Sequence, residues 1–151
     1  MTVTIFGSKR IQEMMRRLGG LSPVREDADS VSEIISRKVY SLLLTGEKNA
    51  GGARRDIIVP QDLPVTEPLR EYRERYLLYD GAREMETVLA EMVSYPALGA
   101  AVSEETENLV HELAGALLMV SIELVKILEP GNVNPGKPAW RRVSDVMDLF
   151  I

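Results

Sequence analysis

The chain has 151 residues, a formal net charge of −5 and no cysteine. That length fits one compact domain or two small units sharing a core, and the acidic balance argues against a dedicated polyanion binder. The missing cysteines exclude disulfides, thiolate nucleophiles and Cys-ligated zinc. With no basic-then-apolar leader and no apolar run near the ~20 residues that span a bilayer, a cytoplasmic protein is expected. The charge is unevenly spread: residues 1–77 carry 13 basic and 11 acidic side chains, residues 78–151 carry 5 and 12.

In chain order, Ile11, Met14, Met15 and Leu18 have the spacing of one helix face and predict a first helix over about Ser8–Leu18, broken by Gly19-Gly20. Ser30 and Glu33 form an S-x-x-E capping box that predicts the start of a long helix near Asp29-Ser30, and Gly51-Gly52 end it. Strand-like alternation extends no further than Asp56–Val59. A third helix is expected over about Thr66–Leu78, with Pro68 in its first turn. The sequence then repeats the series. A helix over about Ala82–Ser94 stops at Tyr95-Pro96, and a long helix runs from Ser103 to Pro130-Gly131. The last covers about Pro138–Phe150. Each long helix spans roughly 37 Å at ~1.5 Å per residue.

A shift of 74 residues lays the two series on each other without a gap. Ile11, Met14, Met15 and Leu18 meet Met85, Val88, Leu89 and Met92. Ile35, Val39, Leu43 and Leu44 meet Leu109, Leu113, Leu117 and Leu118, and Leu69, Tyr72 and Tyr76 meet Val143, Val146 and Phe150. The expected class is all-α, with two units, 1–77 and 78–151, sharing one core. Neither unit can bury its long helix alone, so the long helices should cross. The small residues Ser41 and Gly115, at equivalent midpoints, mark the expected crossing.

No catalytic constellation is legible, and the chain is expected not to be an enzyme. Gly131 to Pro138 approaches a phosphate-binding G-x-x-x-x-G-K-[ST] loop, but Pro138 replaces the metal-binding hydroxyl and a helix precedes the loop where a strand is required. His111, the only histidine, has Glu107 and Glu104 on its helix face, with no second histidine or nucleophile nearby. Trp140-Arg141-Arg142 could stack bases and grip phosphates, although an aromatic at that position fits a core anchor better. No cofactor, metal or small-molecule substrate is expected.

The segment Ala53-Arg54-Arg55-Asp56-Ile57-Ile58-Val59-Pro60-Gln61-Asp62-Leu63 resembles the join between the second and third helices of archaeal histones. Together with His111-Glu112-Leu113-Ala114-Gly115-Ala116-Leu117, Leu128-Glu129-Pro130 and Asn134-Pro135, it makes the whole chain resemble a small prokaryotic family of single-chain tandem histone-fold proteins. The resemblance implies two fused histone folds forming an intramolecular pseudo-dimer. It also implies a clamp between Arg55 and Asp62, whose places in the second half are taken by Glu129 and Gly136. If DNA runs over such a pair, it should touch Arg25 with Lys137 at one end, Arg54 with Arg55 at the other, and Lys9, Arg10 and Arg83 on the first helices. The loop of residues 96–102 supplies no cation there. Two functions follow from the resemblance. One is sequence-independent binding of double-stranded DNA on the nucleoid. The other is an acidic assembly module that takes a protein partner or self-associates.

Overall fold

The structure is a computed structural model that describes residues 5–150. Six α-helices make up most of it: α1 Ile5–Gly19, α2 Arg25–Gly52, α3 Glu67–Leu77, α4 Ala82–Met92, α5 Glu104–Leu128 and α6 Gly136–Phe150. A 3-10 turn covers Pro60–Asp62, and two short strands, β1 (Ile57–Ile58) and β2 (Ala101–Val102), pair in parallel. The class is all-α. Among the described residues no helix is long and apolar enough to cross a membrane.

The helix starts follow local chemistry. Ser103 caps α5 by accepting from the Thr106 N–H at 3.1 Å, and Thr66 caps α3 through the Leu69 N–H at 3.4 Å. α2 differs from expectation. It begins at Arg25, ahead of Ser30, because the Asp27 carboxylate reaches back to accept from the Val24 N–H at 2.8 Å. The Ser30/Glu33 box lies inside the helix, where its donors are already bonded along the backbone.

The long helices run in opposite directions. β1, just after α2, pairs with β2, just before α5; at the other end the Ser22 N–H bonds to the Val133 carbonyl at 2.7 Å, joining the loop before α2 to the loop after α5. α3 packs on α5, and α6 lies against both α2 and α5. One apolar core draws on both halves, with Ile35, Leu43, Leu113, Leu117, Val143 and Trp140 all fully buried in it.

The expected crossing at Ser41 and Gly115 is not found. Ser41 is exposed. Gly115 is buried beneath Tyr76 of α3, and a Cβ at residue 115 would lie 2.4 Å from that ring. The small residue makes room for a docking aromatic, so close approach of the long helices is not what requires it.

The 74-residue repeat reappears in the contacts, with altered chemistry. Lys38 of α2 pairs with Asp148 of α6 at 2.9 Å. Its counterpart 74 residues on, Glu112 of α5, pairs with Arg73 of α3 at 2.5 Å. The Thr106 hydroxyl donates to the Ile58 carbonyl at 2.9 Å, whereas its counterpart Ser32, equally buried, has no hydrogen-bond partner among the described residues. The reason is the early start of α2. Asp27 stands at the position equivalent to Ala101 of β2 but is already helical, so no strand forms at that end for Ser32 to reach.

Candidate nucleic-acid interface

The segment after α2 is built around Asp62. Its carboxylate, almost fully buried, accepts from Arg55 Nη1 at 2.7 Å and Nη2 at 2.8 Å, and from the Val59 N–H at 2.9 Å. The paired guanidinium first, and the backbone donor second, hold the Asp62 carboxyl down to a pKa of about 2. Asn49 reaches over to the Asp62 carbonyl, and Gly46 lets Leu63 and Ile58 approach α2, where a Cβ would meet Leu63 at 2.9 Å. The result is a rigid turn that presents Arg54 to solvent.

Arg54 adopts a left-handed φ of 61°, the one non-glycine residue described with positive φ. Such a conformation costs an L-residue roughly 1–2 kcal/mol. Gly51 and Gly52, which tolerate it freely, sit three and two residues earlier in ordinary helical backbone. The Arg54 side chain is exposed and has no ion pair among the described contacts.

At the opposite end Asp27 plays the part that Asp62 plays here, and sequence reasoning missed it. Asp27, 3% exposed, accepts from the Trp140 indole N–H at 2.8 Å and the Gly136 N–H at 3.3 Å, besides Val24. Thus the second half, which lacks the Arg55/Asp62 pair, is closed by a carboxylate from the first. Glu129, in the place of Arg55, pairs instead with Arg142. Trp140 is 1% exposed and therefore unable to stack on a base, and the Gly136 N–H that a phosphate loop would use is committed to Asp27.

The nominated cations fall into three groups. Arg25 and Lys137 open α2 and α6 at the Asp27 end, where Lys137 lies 3.5 Å from Glu26. Arg54 and Arg55 occupy the β1–β2 end, Arg55 engaged by Asp62. Lys9 is exposed on α1, and Arg10 lies 3.7 Å from Glu13. Arg83, in the first turn of α4, lines a cleft of about 460 Å³ with Tyr76, Glu86, His111 and Glu112, while its neighbour Glu84 lines another with Arg10 and Asp80. Arg16 and Arg17, not singled out from the sequence, extend the α1 surface. Arg16 is exposed, and Arg17 stacks over Tyr79 at 5.3 Å and lies 3.5 Å from Asp80. The signal was the helix itself: α1 carries four cations and a single acid, Glu13. Burial pushes the Tyr76 hydroxyl well above the ordinary tyrosine range, so it stays a neutral donor to the Ala82 carbonyl. Among the described residues no three His, Asp or Glu side chains are grouped to hold a metal ion.

Two solved proteins share this architecture. One from Aquifex aeolicus is 19% identical with a TM-score of 0.84, covering 96% of this chain and 95% of its own, a likeness of fold alone. One from Thermus thermophilus is 32% identical with a TM-score of 0.84, covering 95% of this chain and 97% of its own. No curated protein matches. The family described as a domain of unknown function (DUF1931) matches residues 11–148, nearly the whole of the helical array, and the chain belongs to that family.

Proposed function

We propose that the chain is a histone-fold pseudo-dimer, with units over residues 1–77 and 78–151, that binds duplex DNA without reading its sequence and catalyses nothing. The repeat of Lys38 and Glu112 in equivalent cross-half ion pairs, and the meeting of loops from different halves at each end, support the paired units. The step from paired units to DNA is an analogy of fold. The observation that carries it on this chain is Arg54: the left-handed position that closes α2, where the Arg54 and Arg55 N–H groups return to the Gly51 and Ala50 carbonyls and glycine is the usual residue, holds an exposed cation with no ion pair among the described residues.

Arg54→Gly separates the two roles of the position. It should relieve the left-handed strain and raise stability by about 1 kcal/mol, while weakening binding to a labelled duplex. Because few cations are uncommitted, binding should be weak, with a shallow slope on the order of −3 in log K against log salt, at roughly −0.9 per phosphate. Fluorescence anisotropy at low salt and two higher concentrations measures both. An Arg54→Gly variant that binds as the wild type does, or a wild type that ignores duplex DNA at low salt, ends this reading.

A second reading, an assembly module in the cytoplasm, is favoured by the carboxylates already seated on Arg10, Arg55 and Lys137. The exposed apolar residues Leu78, Leu149 and Phe150 favour it too. It becomes the default if the titration fails.

A further inference from the structure

The two halves meet through positions that match in the repeat and differ in chemistry. Tyr76 of α3 seats on Gly115 of α5, where a Cβ would lie 2.4 Å from the ring; the residue at the equivalent place on α2 is Ser41, which has that Cβ. Arg73 pairs with Glu112, and the place of Glu112 in the first half is held by Lys38, which pairs with Asp148. Trp140 gives its buried N–H to Asp27, whose place in the second half is held by Ala101.

We propose that these differences make the interface between the halves self-excluding, so that each half accepts the other and refuses a second copy of itself. The proposal rests on reading the two segments as equivalent paired units. Two first halves docked in the same manner drive the Tyr76 ring into Ser41 and set Arg73 against Lys38. Two second halves set Glu112 against Asp148 and leave the Trp140 N–H facing Ala101, with no acceptor. Each mismatch is a repulsive element of the kind that discriminates between partners. Like-with-like pairing between copies leaves the remaining halves free to recruit further copies, and so grows open chains. Self-exclusion closes off that route, and the surface each half presents fits one occupant, the other half.

The test starts from the full-length chain carrying a protease site in the Asp80–Gly81 turn, folded first and then cut. Native mass spectrometry before and after a cycle of unfolding and refolding should show a single species with one copy of each fragment. Homotypic pairs in statistical proportion after refolding overturn the proposal but leave the paired units standing. Fragments that separate on cutting and stay folded alone overturn the paired units themselves. Should the cut protein not refold, the intact chain decides. Gly115→Ser should lower the melting temperature by roughly 3–10 °C while Ser41→Ala changes it by about 2 °C at most. An unchanged Gly115→Ser melting temperature overturns the proposal, because the Tyr76 seat then tolerates the side chain of either half.

Discussion

Asp62 is kept charged by two guanidinium N–H groups and one backbone N–H inside a turn that excludes most solvent. Its carboxyl titrates near 2 in the folded chain, below the ordinary value of 3.8. A depressed carboxylate pKa adds stability that is fully present above the unfolded value and is lost as pH falls through the folded one. Between about pH 4 and pH 2, therefore, this turn should weaken. Asp62→Asn should melt lower than the wild type at neutral pH, and the two melting curves should converge as pH approaches 2. A constant difference across that range would assign the stabilisation to packing instead. The Arg55–Asp62 tie was legible in the sequence because its partners lie seven residues apart in one loop. The tie between Asp27 and Trp140 was not, because 113 residues separate them and neither carries a local pattern that names the other.

At the scale of elements, the six helices could be read from periodicity and breakers, and the boundary errors have specific causes. Two N-terminal signals compete in α2, Asp27 reaching back to Val24 and the Ser30/Glu33 box, and the one that also bonds across to α6 prevails. β2 is two residues, Ala101-Val102, too short to alternate, and exists because β1 supplies its hydrogen bonds. Apolar spacing marks which face of α5 is buried but not which helix covers it, so the sequence points the Gly115 gap towards α2 whereas Tyr76 of α3 fills it. The Asp27 cluster can be probed directly, since Trp140 is the only tryptophan. Asp27→Ala should cost about 1–3 kcal/mol by orphaning the buried indole and Gly136 donors. It should also shift Trp140 emission to longer wavelength as the joint between α2 and α6 opens. Loss of stability with unchanged emission would mean that Asp27 acts only as the cap of α2.

For the whole molecule, the joints alternate between halves. β1 of the first half meets β2 of the second, Asp27 of the first holds α6 of the second, Tyr76 of the first covers Gly115 of the second, and Lys38 of the first pairs with Asp148 of the second. Ile122 packs where Gly19 gives it room, and Lys126 lies at the α1 end near the Leu18 carbonyl, so even the first helix leans on the opposite long helix. With the core shared in this way, removing either half exposes the apolar face of the other, and no intermediate with one half folded gains enough burial to offset its chain entropy. Unfolding should accordingly be a single cooperative transition. Trp140 fluorescence reports the Asp27 end alone, whereas far-ultraviolet circular dichroism averages every helix. In a urea titration the two should give one midpoint and one slope. A Trp140 transition that precedes loss of helix would place a separate unfolding unit at that end, and would identify the β1–β2 end, with Arg54 on its turn, as the more firmly held of the two.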